Sequence, residues 1–161
     1  MDYREEIGVL PPIEEHGEFT AVVIRTDYTD DAAWAATVAE LSQRPDVDAD
    51  LLFVEDPGWA DAEPDDIVAT ARRSEDTFVL FVADRHTMRS ADHRLLALDT
   101  LPEDEYEDPD PVDGPPLREF RTVPAGVHDV QANLAIANLS FWDYAEHARS
   151  EPDGVYHSFP N

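Results

Sequence analysis

TFVLFVAD, residues 77–84, sets six apolar residues in a row, Phe78 to Ala83, between a threonine and an aspartate. An unbroken β-branched and aromatic run of this length reads as a strand covered on both faces. It predicts the centre of a sheet. Two shorter runs lie upstream: EFTAVVIR at 18–25, with Val22, Val23 and Ile24 at its middle, and LLFV at 51–54. Between them, the oxygens of Thr26 to Asp31 offer caps to a helix carrying Ala33, Trp34, Ala36, Thr37, Val38 and Leu41, which Pro45 stops. EDPGW then turns the chain. PDDIVATARR starts a second helix with Pro64 in its first turn and Asp65 and Asp66 favourably placed near its amino end. Strands alternating with helices predict an α/β sandwich with a mostly parallel sheet and helices on both faces, because right-handed crossovers lay the helices over the sheet.

Downstream, RHTMRSADH reads as a polar connection, RLLALDT at 94–100 as a fourth strand and LREFRTVP as a fifth. PEDEYEDPDPVDGPP at 102–116 holds five prolines and seven acids, which no core element tolerates; it is an acidic, proline-rich loop. From Pro124 to Ala148 the chain is rich in apolar and aromatic residues. On one continuous helix Val127, Val130, Leu134, Phe141, Tyr144 and Ala148 would share a face, while Ile136, Leu139 and Trp142 would project from the other. A break at Asn138-Leu139-Ser140 resolves the conflict, with two short helices burying both sets as a lid on the core. The expected organisation is one domain over 1–161 with about five strands and a polar amino-terminal arm at 1–17.

The charge is extreme. Thirty-seven acids face eleven bases, all arginine, for a formal net charge of -26. Self-repulsion of that size is screened only when the Debye length falls to about 3 Å, at about 1 M salt. The lysine-free composition is similar to that of halophilic archaea, so the expected setting is a cytoplasm of molar salt. Cysteine is absent, which removes disulfides and thiolate chemistry. No apolar run approaches the roughly 20 residues of a membrane span, so a soluble protein is expected. Nucleic acid is an unfavoured partner for a chain this negative.

Motifs for catalysis are missing. No serine sits in a G-x-S-x-G elbow, and neither a dinucleotide fingerprint nor a phosphate loop is present. Four predicted strands each end near an acid: Asp27, Asp56 with Glu55, Asp84 and Asp99. Convergence of Asp27, Asp56 and Asp84 would hold Mg²⁺ for hydrolysis or phosphoryl transfer. With 37 acids in 161 residues, caps for the following helices explain them as well. His86 and His93 invite a transition-metal reading only if the segment between them is helical. Arg72, Arg73, Arg85, Arg89, Arg94, Arg118 and Arg121 crowd the middle of the chain, either as a patch for an anionic ligand or as partners of the many acids. Trp59, in the turn DPGW, is the aromatic expected near a pocket or interface, and Asn133 and His128 are the polar candidates of the carboxyl-terminal helices.

RTDYTDDAAW after the first strand, VEDP after the second, TFVLFVAD, and PAGVHDVQANLAIANLSFWDYA together resemble a family of small bacterial and archaeal domains of unknown function. The likeness covers about residues 18–159, apart from the acidic loop. It implies a compact single domain and transfers no catalytic residue. The expected function is a non-enzymatic binding or regulatory module acting on a protein partner or on itself, without a cofactor. The alternative is the Mg²⁺-dependent enzyme built on the strand-end aspartates.

Overall fold

Val79–Ala83 is buried along its whole length and lies inside the sheet, as its unbroken apolar run requires. The structure, a computed structural model, describes residues 13, 20–42, 50–71, 79–100, 118–136, 139 and 141–157. In chain order the elements are β1 (Thr20–Arg25), α1 (Asp31–Leu41), β2 (Asp50–Val54), α2 (Pro64–Ala71), β3 (Val79–Ala83), α3 (Arg85–Arg89), β4 (Leu95–Asp99), β5 (Glu119–Thr122), α4 (Val127–Ala135), α5 (Phe141–Ser150) and β6 (Val155–Tyr156). Short 3-10 turns at Pro57–Trp59 and Pro124–Gly126 complete the set. The arm at 1–12, Arg72, Arg73 and the acidic loop at 102–116 lie outside the described residues.

The fold is α/β, but the sheet is mixed rather than mostly parallel, and it has six strands rather than about five. Its order is β2-β1-β3-β4-β5-β6. β1 pairs in parallel with β2 and β3, and β5 with β6, whereas β4 is antiparallel to both of its neighbours. The reason is the length of the connections. A parallel pair needs a crossover of a dozen or more residues, usually helical. α1, α2 and the pair α4–α5 provide such crossovers. The segment read as a polar connection instead folds into the five-residue α3, which turns the chain back at the strand end and sends β4 in the opposite direction.

Alternate residues of the strands feed two clusters. Ala21, Val23, Val79, Phe81, Leu95 and Ala97 pack with Trp34 and Leu41 of α1, Met88 of α3, Val130 of α4 and Phe141, Tyr144 and Ala148 of α5. Val22, Ile24, Leu80, Val82, Leu96 and Leu98 pack with Trp59 and with Ile67 of α2. The Pro124 to Ala148 stretch is thus mainly core. Phe120 of β5 sits 5.0 Å from Phe141 and 6.3 Å from Tyr156 between ring centroids, and Tyr144 meets Tyr156 edge-on at 5.0 Å. α4 ends at Ala135 and α5 begins at Phe141, as the conflicting faces predict. Asn138 and Ser140 lie outside the described residues. The break does not bury every apolar residue near it, because Ile136 is 60% exposed.

Gly126 closes the turn into α4 against two buried side chains. A Cβ there would lie 2.5 Å from Thr122 Oγ1 and 2.9 Å from Tyr156 Cδ2. Both residues are fully buried and have nowhere to retreat. Gly126→Ala is therefore expected to destabilise the protein by about 1–3 kcal/mol, the ordinary cost of overpacking, read as a lower midpoint in thermal unfolding. An unchanged midpoint would contradict this packing.

Candidate functional site

β1, β2, β3, β5 and β6 all run one way, so their carboxyl ends share one edge of the sheet. The β1–β3 junction, where strand order reverses, is where open α/β sheets usually bind ligands. Here backbone continues across it: Thr26 N donates to Ala83 O at 3.0 Å, and Thr26 O accepts from Asp61 N at 2.8 Å. Asp99 is not at this edge, because β4 is antiparallel and its register pairs Asp99 with Val79, at the start of β3.

The three aspartates of the metal reading each have a separate local task. Asp27 is buried, and its Oδ1 accepts from Thr29 N at 3.1 Å and Thr29 Oγ1 at 2.7 Å. Asp56 Oδ1 accepts from Gly58 N at 2.9 Å and caps the 3-10 turn. Asp84 caps α3 through Thr87 N and takes both terminal nitrogens of Arg121, each at 2.8 Å. Among the described residues, no three His, Asp or Glu side chains are grouped so as to hold a metal ion. Neighbouring Glu55 is occupied too, accepting from Trp34 Nε1. Arg25 is buried over the Tyr28 ring, 4.4 Å from its centroid, and pairs with Asp31 at 2.7 Å.

Trp59, His128 and Asn133 are not brought together. Trp59 is 0% exposed in the cluster with Ile67, since the 3-10 turn folds its ring down onto the sheet. His128 is buried on α4, where its Nε2 donates to Leu41 O at 3.1 Å and ties α4 to the end of α1. Asn133 Nδ2 donates to Asp129 O at 3.0 Å and to Tyr144 Oη at 2.9 Å. Tyr156 Oη completes this network by donating to the Asp129 carboxylate. Burial first, with Asp129 adding to it, raises the Tyr144 phenol far above its ordinary value. These are packing roles.

What the edge does present is an arginine pocket at α3. Asp84 and Thr87 cap one another's backbone, Thr87 Oγ1 donates to Arg94 O at 2.7 Å, and Met88 enters the core. Those inward ties leave Arg85, His86 and Arg89 exposed. The turn that follows is also pinned: Arg94 N donates to Ser90 Oγ at 2.9 Å, and His93 Nδ1 donates to Glu40 Oε1 of α1 at 3.1 Å. His93 thus serves the scaffold, and the two histidines do not form a ligand pair. Arg85, His86, Arg89, Ser90, Asp92 and Arg94 line an open pocket of about 720 Å³.

The charges in this pocket are not balanced. Arg25, Arg94, Arg121 and Arg149 pair with Asp31, Asp92, Asp84 and Glu146, and Arg118 is engaged as well. Among the described residues, Arg85 and Arg89 pair with no acid. They stand at i and i+4 on one helix face, a like-charge spacing that costs a short helix a few tenths of a kcal/mol. In the sequence the crowding of arginines already points to a patch for an anion, and the 84–89 spacing narrows it: an aspartate three residues before a threonine, with two arginines four apart.

An α/β domain with a mixed sheet and an arginine-lined pocket at the strands' shared edge is the class that fold and site define. The profile of the family described as a domain of unknown function, DUF6924, matches residues 20–159, and the chain belongs to that family. No curated protein matches it.

Asp84 and Arg121 set the pocket's foundation. Burial pushes the Asp84 carboxyl up, but the hydrogen bonds and charge of Arg121, with those of Thr87, outweigh it and hold the group below its ordinary 3.8. A carboxyl lowered on folding stabilises the protein above that ordinary value and loses its contribution as pH falls through the lowered one. Arg121→Ala should cost about 1–3 kcal/mol at neutral pH. In paired denaturant melts the gap between wild type and variant should narrow below pH 3.8; a gap independent of pH would refute the assignment.

Proposed function

We propose that the chain is a non-catalytic binding or regulatory module and that the α3 pocket recognises an anionic group on its ligand or partner. One observation carries the reading. In a chain where 37 acids compete for eleven arginines, two arginines on the same helix face pair with no acid among the described residues. Local helix stability gives no reason to keep that spacing. A site under selection for binding does, since local choices that oppose stability cluster where function lies. The strand-end carboxylates, by contrast, are already satisfied by backbone and by Arg121.

The test is a thermal-melt screen against polyvalent anions at constant ionic strength. A ligand at about 100 times its Kd stabilises the folded state by about 2.7 kcal/mol, a shift of several degrees. At least one anion should produce it in the wild type and not in the Arg85→Glu/Arg89→Glu variant. Equal shifts in both proteins, or none in either, would discard the pocket.

We infer that the protein works in a cytoplasm of molar salt. The support is compositional: the net charge of -26, and arginine as the only base besides histidine. No helix among the described residues is long and apolar enough to cross a membrane. The unfolding midpoint should rise steeply between about 0.1 M and about 2 M KCl as the Debye length shrinks from about 10 Å to under about 3 Å. A midpoint indifferent to KCl would remove the inference.

A further inference from the structure

The charge balance of the α3 pocket also defines the chemistry of its ligand. Resting on the reading of this pocket as an anion site, we infer that it takes a phosphate monoester of a sugar or polyol. Arg94 is neutralised in place by Asp92 at 2.8 Å, with Asp153 at 3.8 Å behind it. Arg85 and Arg89 are therefore the two free positive charges facing the cavity, with His86 as a further donor. Positions i and i+4 on a helix set Cβ atoms about 5–6 Å apart, a spacing that allows two guanidinium forks to converge on a single group. A lone carboxylate offers one charge and two coplanar oxygens, which satisfy one fork and leave the other unpaired. A phosphate monoester carries about -1.5 to -2 at neutral pH and three acceptor oxygens, enough for both.

High salt sharpens the choice. Long-range attraction is screened there, so affinity has to come from direct charge-assisted hydrogen bonds, which favours an anion that gathers its acceptors and charge on one group over one that spreads them along a chain. The pocket's size and lining describe the rest of the ligand. About 720 Å³ lies in the range of small-molecule sites and far exceeds a bare phosphate. Among the described residues no aromatic side chain lines it, and its surface is mainly apolar, from Ala91 and the carbon stems of the arginines, on which the C–H face of a sugar or polyol can lie. A nucleobase would find nothing to stack on, while a hydroxylated chain or ring would meet Asp92, His86 and the backbone.

Isothermal titration in about 2 M KCl with mannitol phosphate, inorganic phosphate, mannitol and citrate tests this. Mannitol phosphate should bind, inorganic phosphate at least about tenfold more weakly, and mannitol and citrate not measurably. Arg85→Gln/Arg89→Gln should lower affinity at least about tenfold with an unchanged melting point. Arg149→Gln, which alters a surface arginine elsewhere, should bind as wild type does. If the double variant melts early, Arg89→Lys keeps the charge, loses the fork and should still weaken binding severalfold. Citrate binding as tightly as mannitol phosphate, and depending equally on Arg85 and Arg89, would overturn the phosphoryl assignment while leaving the anion site. Inorganic phosphate binding as tightly as the ester would overturn the polyol part. Silence from every probe, together with a flat anion screen, would overturn the site itself.

Discussion

The bidentate pair between Asp84 and Arg121 is the contact on which the working edge of this protein depends. It joins the end of β3 to β5 across the start of β4. Both side chains are about three-quarters buried, with 27% and 23% exposure. Each would be costly to leave alone there, and breaking such a pair leaves an uncompensated charge. The same carboxylate caps α3, and the Arg94 carbonyl between the two strands accepts from both Thr87 Oγ1 and Arg121 Nη1. Strand, helix and returning strand are thus locked at one point. Arg121 is an arginine that the scaffold uses; among the described residues, Arg85 and Arg89 are the ones it leaves.

That lock also explains the topology. Because α3 is short and pinned at both ends, the chain cannot cross the sheet after β3 and must return beside it. The antiparallel β4 follows, and with it the displacement of Asp99 to the far edge. The core is then completed from the carboxyl end, where α4 lies against β1 and β3, and α5 covers β5 and β6. The aromatic group of Phe120, Phe141, Tyr144 and Tyr156 holds that half together.

How much of this was legible in the sequence follows the range of the interactions. β1, β2, β3, α1 and α2 were readable because apolar runs, caps and Pro64 are local signals. The direction of β4 was not, since it depends on whether residues 84–94 recross the sheet, and nothing in RHTMRSADH announces a helix except a weak Asp84–Thr87 cap. β6 is two residues long and has no periodicity to read. A tryptophan in a DPGW turn suggests a pocket or interface, whereas the Asp56-capped 3-10 turn folds Trp59 into the core. Asp84 reads as a strand-end acid in the sequence, but its partner lies 37 residues away, beyond any local pattern. The arginine pocket was half visible: the crowding of arginines could be counted, while the pairing that sets two of them apart is a property of the fold.

The acidity and the pocket belong to one electrostatic picture. A chain this negative neutralises the arginines it places among its acids, so those it keeps unpaired mark a surface. The most direct measurement is an NMR titration of the arginine Nε–H signals with a phosphate monoester at molar salt. The account predicts that the Arg85 and Arg89 signals move together while Arg121, held by Asp84, stays fixed. Movement of Arg121 in step with them, or stillness of Arg85 and Arg89, would contradict it.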